Sequence, residues 1–437
     1  MISKKLALLA AGFGLLLSAA AQAALPIQHW KTDNGTRVYF VESHDLPMLD
    51  VSVDFAAGSA YDTAPKSGLA SLTRHMLALG AGGVSEDDIA KGLADVGASL
   101  GGAFDQDRAS YTLRTLSGQR ERAQSLALLA KILQQPDFPA AILEREKKRA
   151  IAALREEDTQ PESIAAKAFF RDLYGGHPYG LPPAGKPETV AALSRDEVAA
   201  FYRAHYTAGS AVVSLIGDVS RAEAEAIAKE LSSNLPAGAG EGAIPPVAQL
   251  AKAEQQTIAH PAKQSHILIG DVGVRRGDPD YFPLFVGNHV LGGGGFTSRL
   301  MQDVREKRGL AYSVYSYFEP LRQEGPFVIG LQTKREQTAQ ALEVVRDTLK
   351  EFVAAGPKAV ELEKAKQNIV LGFPLRIDSN AKILGYLAMI GFYDLPLTYL
   401  DDFVRHVERV GVRDVKDAFA RRVHPDRMVT VVVGGGE

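Results

Sequence analysis

The chain has 437 residues, of which 46% are hydrophobic and 23% are charged, enough for a sizeable core and more than one domain. Its formal net charge is −3 and it has no long basic run, which argues against a nucleic-acid partner. It contains no cysteine, which excludes disulfides, thiolate metal ligands and cysteine catalysis.

The first 23 residues, MISKKLALLAAGFGLLLSAAAQA, have the organisation of a secretory signal peptide. Two lysines precede a short apolar core, and Ala21-Gln22-Ala23 fits a signal-peptidase site. We therefore expect cleavage after Ala23 and a periplasmic location. The alternative is a retained segment that tethers the protein to the membrane, and the shortness of the apolar core disfavours it.

Strand patterns such as RVYFVES and LDVSVDFAAGSA precede long amphipathic helix patterns in the first half of the chain. Runs of strands followed by helices predict an α+β fold with antiparallel sheets and packed helices. The ends of the two halves also resemble each other, because residues 193–219 match residues 410–437 at a constant offset of 218. Each copy predicts a helix, a polar turn and a buried strand, so the chain is predicted to contain two similar domains.

The repeat sets the predicted domain boundaries. Residues 24–231 form an N-terminal domain, and residues 255–437 form a C-terminal domain. Residues 232–254 between them are rich in Pro, Gly and Ala and lack apolar periodicity, which is typical of a linker.

The segment GLASLTRHMLALG, residues 68–80, predicts a helix with an unusual polar face. Its leucines and Met76 recur at spacings of three and four and form an apolar face. Ser71, Arg74 and His75 share the opposite face. One interpretation is that these polar side chains are solvated or hydrogen-bonded within the core and have only a structural role. The other is that they belong to a functional site.

This segment resembles the metal helix of the pitrilysin/insulinase-type zinc peptidases, the inverzincins. Their His-x-x-Glu-His pattern supplies two zinc ligands and the Glu that activates the bound water. At the first His position this chain has Ser71, and at the Glu position it has Arg74, so that His75 alone remains. A single imidazole is a poor zinc site, and Arg74 is expected to bring a fixed positive charge to where the cation would lie.

The resemblance also implies a carboxylate ligand from a second helix, which here is EREKKRAIAALREE. Glu146 matches a supporting acid and the ligand position falls on Ala153, although a shift of a few residues would select Glu156 or Glu157. We therefore expect this chain to bind no metal. The degenerate metal positions are Ser71, Arg74, His75 and Ala153.

The segment VLGGGGFTSRLMQDVREKRGLAYSVYSYF, residues 290–318, predicts a glycine-rich turn, a helix capped by Thr297 or Ser298, and a strand. It is the part of the chain most similar to the family. The resemblance implies that Arg305 and Tyr312 hold the substrate backbone and help to stabilise the tetrahedral intermediate. The alternative is a helix-terminal Arg and a core Tyr with structural roles.

Two further stretches are candidates for peptide contacts. The glycine run resembles the substrate loop of the metal-free subunit of mitochondrial processing peptidase, although a simple flexible turn is an equal alternative. The stretch DFAAGSA, residues 54–60, matches a strand that lies at an open sheet edge in the family and pairs with extended peptides. The candidate peptide-binding residues are therefore Asp54, Phe55, Ala56, Gly58, Gly293, Gly294 and Gly295.

Bacterial members of this family of similar length can work as pairs, in which one chain holds the metal helix and the other holds the Arg and Tyr. The resemblance therefore implies a non-catalytic, substrate-binding subunit of a periplasmic heterodimeric zinc peptidase, inactive alone. Zinc and an intact His-x-x-Glu-His motif would come from a homologous partner, and peptides would be the substrates. The alternatives are a peptide-binding or scaffold protein without hydrolysis, and an autonomous peptidase with relocated ligands.

Overall fold

The computed structural model describes residues 26–238 and 242–434, so the predicted signal peptide lies outside the described residues. The N-terminal half contains a six-stranded sheet with the order β1-β2-β6-β3-β5-β4. Its strands are β1 (Gln28–Lys31), β2 (Arg37–Glu42), β3 (Met48–Phe55), β4 (Ser99–Gly101), β5 (Ala109–Leu116) and β6 (Val212–Gly217). Its helices are α1 (Leu69–Met76), α2 (Glu86–Ala94), α3 (Gln119–Gln134), α4 (Ala140–Glu157), α5 (Pro161–Tyr174), α6 (Pro187–Ala192), α7 (Arg195–His205) and α8 (Arg221–Ser232).

The C-terminal half contains a five-stranded sheet with the order β7-β11-β8-β10-β9. Its strands are β7 (Glu254–Ile258), β8 (Gln264–Val272), β9 (Ala311–Phe318), β10 (Pro326–Lys334) and β11 (Val429–Val433). Its helices are α9 (Tyr281–Asn288), α10 (Thr338–Ala355), α11 (Ala359–Gly372), α12 (Asn380–Phe392), α13 (Tyr399–Arg409) and α14 (Val412–Arg422). Two π-helical turns, His289–Gly293 and Met301–Glu306, lie between α9 and β9.

The α+β fold predicted from the sequence is confirmed, but the sheets are mixed rather than purely antiparallel. In each sheet one late strand inserts between two earlier strands that run in opposite directions. Strand β6 is therefore parallel to β2 and antiparallel to β3, and β11 is parallel to β7 and antiparallel to β8. An inserted strand between two opposed neighbours must be parallel to one of them.

The two halves repeat the same order of elements near their ends. Helix α7 and strand β6 correspond to helix α14 and strand β11, as the sequence match suggests. The domain boundaries themselves stay a prediction. Within the predicted linker, Ile244 is buried and its carbonyl accepts a hydrogen bond from the side-chain amide of Gln323.

Each sheet packs its own helices on one face and one helix of the other half on the opposite face. Helix α5 covers β8 and β11, while α12 covers β6 and β3. Glycine makes room at both contacts. A Cβ on Gly270 would lie 2.6 Å from the ring of Phe169, and a Cβ on Gly391 would lie 2.6 Å from Tyr39. The halves therefore share their cores.

A buried carboxylate also joins the halves. Asp107 accepts hydrogen bonds from the hydroxyls of Tyr179 (2.6 Å) and Tyr393 (2.8 Å) and from the backbone N–H of Arg322 (2.7 Å). Burial raises the pKa of Asp107, and these three donors oppose that shift. None of the helices within residues 26–238 and 242–434 is both long and apolar enough to cross a bilayer.

Candidate functional site

Helices α1 and α4 face each other across a cleft of about 340 Å³. Ser71 and His75 line it from α1, and Glu146 and Ala153 line it from α4. The structure thus brings together four positions that the family resemblance assigned to the metal site. Glu157 lines the same cleft, one helical turn beyond Ala153.

The polar groups of this cleft are bonded to one another. Nε2 of His75 lies 2.9 Å from Oε2 of Glu146, whose Oε1 accepts from Nε of Arg145 (2.5 Å) and Nη1 of Arg149 (2.8 Å). Burial raises the pKa of the Glu146 carboxyl, but the hydrogen bonds from His75 and Arg145 outweigh it and hold that pKa below its ordinary value. The carboxylate is therefore ionised and engaged by cations.

These residues do not fit a zinc ion. A catalytic zinc site needs three protein ligands. This cleft offers the imidazole of His75, the carboxylate of Glu146 already held by two guanidinium groups, and Glu157, which pairs with Lys167 at 3.3 Å. Within the described ranges, no group of three or more His, Asp or Glu side chains is placed to hold a metal.

The position expected for the positive charge of Arg74 was wrong. Its guanidinium donates from Nε (3.3 Å) and Nη2 (3.2 Å) to the carbonyl of Ser110 on β5 and lies over the ring of Tyr111, 5.1 Å from the centroid. These contacts hold it against the sheet, and it does not line the cleft. The cationic group that does line the cleft is Arg149, which sequence reasoning missed although it lies three residues after Glu146.

Arg305 and Tyr312 are neighbours on the surface of the C-terminal half. Arg305 lies in the wide π-helical turn Met301–Glu306, and its guanidinium carbon is 5.1 Å from the centroid of the Tyr312 ring. The centroid of the Phe296 ring lies 4.9 Å from the same guanidinium carbon. Tyr312 is 80% exposed and Phe296 is 66% exposed, whereas the Arg305 side chain is 29% exposed, so the two rings face solvent and partly cover the guanidinium. We call these three residues the Arg305 cluster.

The exposure of Tyr312 excludes the interpretation of this residue as a core tyrosine. Phe296 was not predicted, although an aromatic residue directly after four glycines is a visible signal. The only carboxylate near Arg305 in the described chain is that of Glu306, at 3.8 Å from Nε, so the guanidinium retains donors for a ligand.

The glycine run, residues 292–295, packs against β9, and this close packing explains why some of its positions are glycine. A Cβ on Gly292 would lie 2.6 Å from the backbone nitrogen of Ser316, which only glycine tolerates. Gly295 has a φ of +59° with open space around it and begins the turn that precedes the π-helical segment. Ser298 is one of the two predicted caps, and its hydroxyl oxygen accepts a hydrogen bond from the backbone N–H of Met301 at 3.5 Å. Contacts of Gly293, Gly294 and Gly295 with peptides stay a prediction.

The prediction of an open sheet edge at residues 54–60 is wrong. Strand β3 lies between β6 and β5 in the interior of its sheet. Asp54, Phe55 and Ala56 are buried, and a Cβ on Gly58 would lie 2.4 Å from the carbonyl oxygen of Gln106. These backbone groups are paired within the protein. Strands at the ends of the two sheets are β1, β4, β7 and β9, and Tyr312 lies on β9.

Comparisons with known proteins agree with this architecture. Residues 37–186 match the family described as Insulinase (Peptidase family M16), and residues 192–369 match the family described as Peptidase M16 inactive domain. A Bacillus subtilis relative named "Uncharacterized zinc protease YmxG" is 27% identical over 82% of this chain and 86% of its own length. A Helicobacter pylori relative named "Non-peptidase homolog YmxG" is 25% identical over 87% of each chain.

Among solved structures, one described as the peptidase M16 inactive domain from Pseudomonas fluorescens is similar over nearly the whole length. The two chains are 39% identical with a TM-score of 0.91, over 94% of this chain and 98% of the other. This level of identity and coverage confirms the family predicted from the sequence motifs. The chain therefore belongs to the M16 (insulinase) peptidase family and is similar to its inactive-domain members.

Proposed function

We propose that this chain is the non-catalytic, substrate-binding subunit of a heterodimeric M16 zinc peptidase in the periplasm. Its partner would be a homologous chain with an intact His-x-x-Glu-His helix. The observation that carries the proposal is a contrast between two regions. Among the described residues, the α1–α4 cleft does not bring three ligands together for zinc, whereas the Arg305 cluster has two exposed rings and a guanidinium with unused donors.

The chemistry of the Arg305 cluster suits peptide hydrolysis at a site completed by another chain. Zinc in the partner would activate water and polarise the scissile carbonyl. The guanidinium of Arg305 and the phenol of Tyr312 are hydrogen-bond donors that can be aimed at the oxyanion that develops during this attack. Their mutual stacking restricts the guanidinium, which reduces the entropy lost when a ligand binds.

The end of the C-terminal sheet offers a place for the peptide backbone. Strand β9 is hydrogen-bonded to β10 on one side and is the last strand of the sheet. Tyr315 and Tyr317, whose rings stack with centroids 6.2 Å apart, line a cleft of about 280 Å³ beside this strand. An extended peptide added along β9 would lie next to Tyr312 and place alternate side chains toward this cleft.

Purification from the native periplasm tests the pairing. A tagged chain should co-purify a second M16 chain in equal amount, with zinc and with peptide hydrolysis that a chelator abolishes. A zinc-free, inactive chain recovered alone from cells that also express an M16 chain with an intact His-x-x-Glu-His helix would contradict the proposal. An unprocessed amino terminus would contradict the predicted cleavage after Ala23.

Binding of peptides without hydrolysis is the second candidate function. The exposed rings of Phe296 and Tyr312 favour it, because aromatic side chains give contact area at low entropic cost. A partner-free chain that binds peptides and is not activated by any M16 chain would support it over the first proposal.

A further inference from the structure

A separate cleft of about 480 Å³ lies on the helical side of the C-terminal half. The loop after β8, the start of α9, helix α13 and the start of α14 form its walls. It shares no lining residue with the α1–α4 cleft or with the Arg305 cluster. Its volume is within the range of small-molecule sites.

Aromatic side chains form the apolar walls of this cleft. Tyr281, Phe282 and Tyr399 all line it. The imidazole of His406 stacks on the ring of Phe282 with centroids 4.7 Å apart and planes 22° apart, and the hydroxyls of Tyr281 and Tyr399 interact with each other. The walls therefore present flat rings held in place by neighbours.

The cationic groups of the cleft have few partners. Arg276 and Arg409 both line it, and neither guanidinium makes a side-chain hydrogen bond or ion pair with another described residue. The buried Nε of Arg276 has no acceptor, while its guanidinium lies over the ring of Tyr393 at 5.2 Å. The buried Glu319 interacts with Arg276 at longer range only.

The acidic residues in the lining are, by contrast, already engaged. Asp278 pairs with Arg422 at 2.8 Å, Asp402 pairs with Arg405, and Asp414 accepts the backbone N–H of Gly411 at 2.8 Å. Two of these three carboxylates are thus paired with arginines outside the lining, whereas Arg276 and Arg409 keep unused donors next to the aromatic walls.

We propose that this cleft binds a carboxylate attached to an aromatic group. Arg409 receives the carboxylate, since a guanidinium fork matches its two oxygens, and the charge of Arg276 in the same lining adds attraction. The rings of Phe282 and Tyr399 cover the apolar part. The ligand is either a free aromatic acid or the carboxyl terminus of a peptide that ends in an aromatic residue. This site is independent of the peptidase proposal.

Calorimetric titration of the purified full chain tests the proposal with four probes. These are phenylacetate, phenylacetamide, and the peptide acetyl-Ala-Ala-Phe with a free or an amidated carboxyl group. The acids should bind on the order of tenfold more tightly than their neutral amides, because only the acids form charge-assisted hydrogen bonds. Tighter binding of the peptide acid identifies a chain terminus as the ligand, and tighter binding of phenylacetate identifies a free acid. Both results support the site.

Variants locate the binding. Arg409→Gln, at an exposed position, should remove most of the preference for acids, and Arg276→Gln should remove the rest. Arg413→Gln on α14, whose side chain is 92% exposed and outside the cleft, should leave binding unchanged. Equal affinity for acids and amides, a preference that survives Arg409→Gln in a folded protein, or no binding at about 10 mM probe would overturn the proposal.

Discussion

Glu146 shows at the scale of one residue how the cleft between α1 and α4 is stabilised. Its side chain is 6% exposed and accepts hydrogen bonds from an imidazole and two guanidinium groups. Because these donors hold its folded-state pKa below the ordinary value of 4.5, the carboxylate contributes stability above about pH 4.5. That contribution is lost as the pH falls through the lower folded-state pKa.

Glu146→Gln should therefore lower the free energy of unfolding by about 1 to 3 kcal/mol at pH 7, since an amide cannot accept at both ends. Urea denaturation at pH 7 and at pH 3.5 measures this difference between variant and wild type, which should shrink at the lower pH. Glu156→Gln on the same helix is the control, because Glu156 is exposed and its side chain makes no ion pair with another described residue. A difference of equal size at both pH values would contradict the charge argument.

The sequence identified the residues of this cleft but not their contacts. Ser71, His75, Glu146 and Ala153 were predicted because the family motif has fixed spacings on two helices. The spacing of residues along a helix does not predict the direction that a long side chain takes. The position expected for the Arg74 guanidinium was therefore wrong, and Arg149 was missed. The guanidinium of Arg74 is held by the carbonyl of Ser110 on β5, which is distant in sequence. Arg149 bonds to Glu146 only three residues away, so helical spacing could have predicted that contact.

At the scale of elements, helices α1 and α4 face each other across one cleft and place Ser71, His75, Glu146 and Ala153 in its lining. The predicted helix over residues 68–80 is shorter in the structure and ends at Met76. The peptide-pairing strand was the larger error. Strand order depends on β6, which follows β3 by about 160 residues in sequence and pairs with β3 in the sheet. Hydrophobic alternation identifies a strand but not its neighbours.

The combined variant Ser71→His, Arg74→Glu and Ala153→Glu should bind one zinc ion at micromolar free zinc, because two imidazoles and a carboxylate would face one another across the cleft. Competition with a chromogenic chelator measures the affinity, and Ser71→His alone is the control with too few ligands. Adding Arg149→Gln should tighten binding further, since it removes a cation from the lining. A folded triple variant that stays metal-free would show that Ala153 is not the ligand position.

At the scale of the whole molecule, the halves are interleaved, since each sheet is covered by a helix from the other half. This exchange was not visible in the sequence. Helix α12 is apolar over most of its surface, which predicts that it is buried but does not identify the sheet that it covers. The glycines at the contacts are the sequence feature that allows these helices to approach the other half. A Cβ on Gly391 would lie 2.6 Å from both Tyr39 and Val212, which belong to the other half. The two halves should therefore unfold together.

Gly391→Ala should lower the free energy of unfolding by about 1 to 3 kcal/mol through overpacking and should keep a single calorimetric transition. Gly385→Ala on the same helix is the matched control, because Gly385 is exposed with open space around it. That control should stabilise the protein by about 0.5 to 1 kcal/mol, as expected for alanine in a helix. Two separate transitions in the wild type would contradict the shared core.

The measurement that tests the central claim most directly is peptide turnover by the reconstituted pair with Arg305→Ala or Tyr312→Phe in this chain. Each variant should lower kcat on the order of a hundredfold, because each removes a donor aimed at the developing oxyanion, while pair formation and zinc content stay unchanged. Arg308→Ala, outside the Arg305 cluster, is the control and should retain turnover. Full turnover in both variants would contradict the composite site.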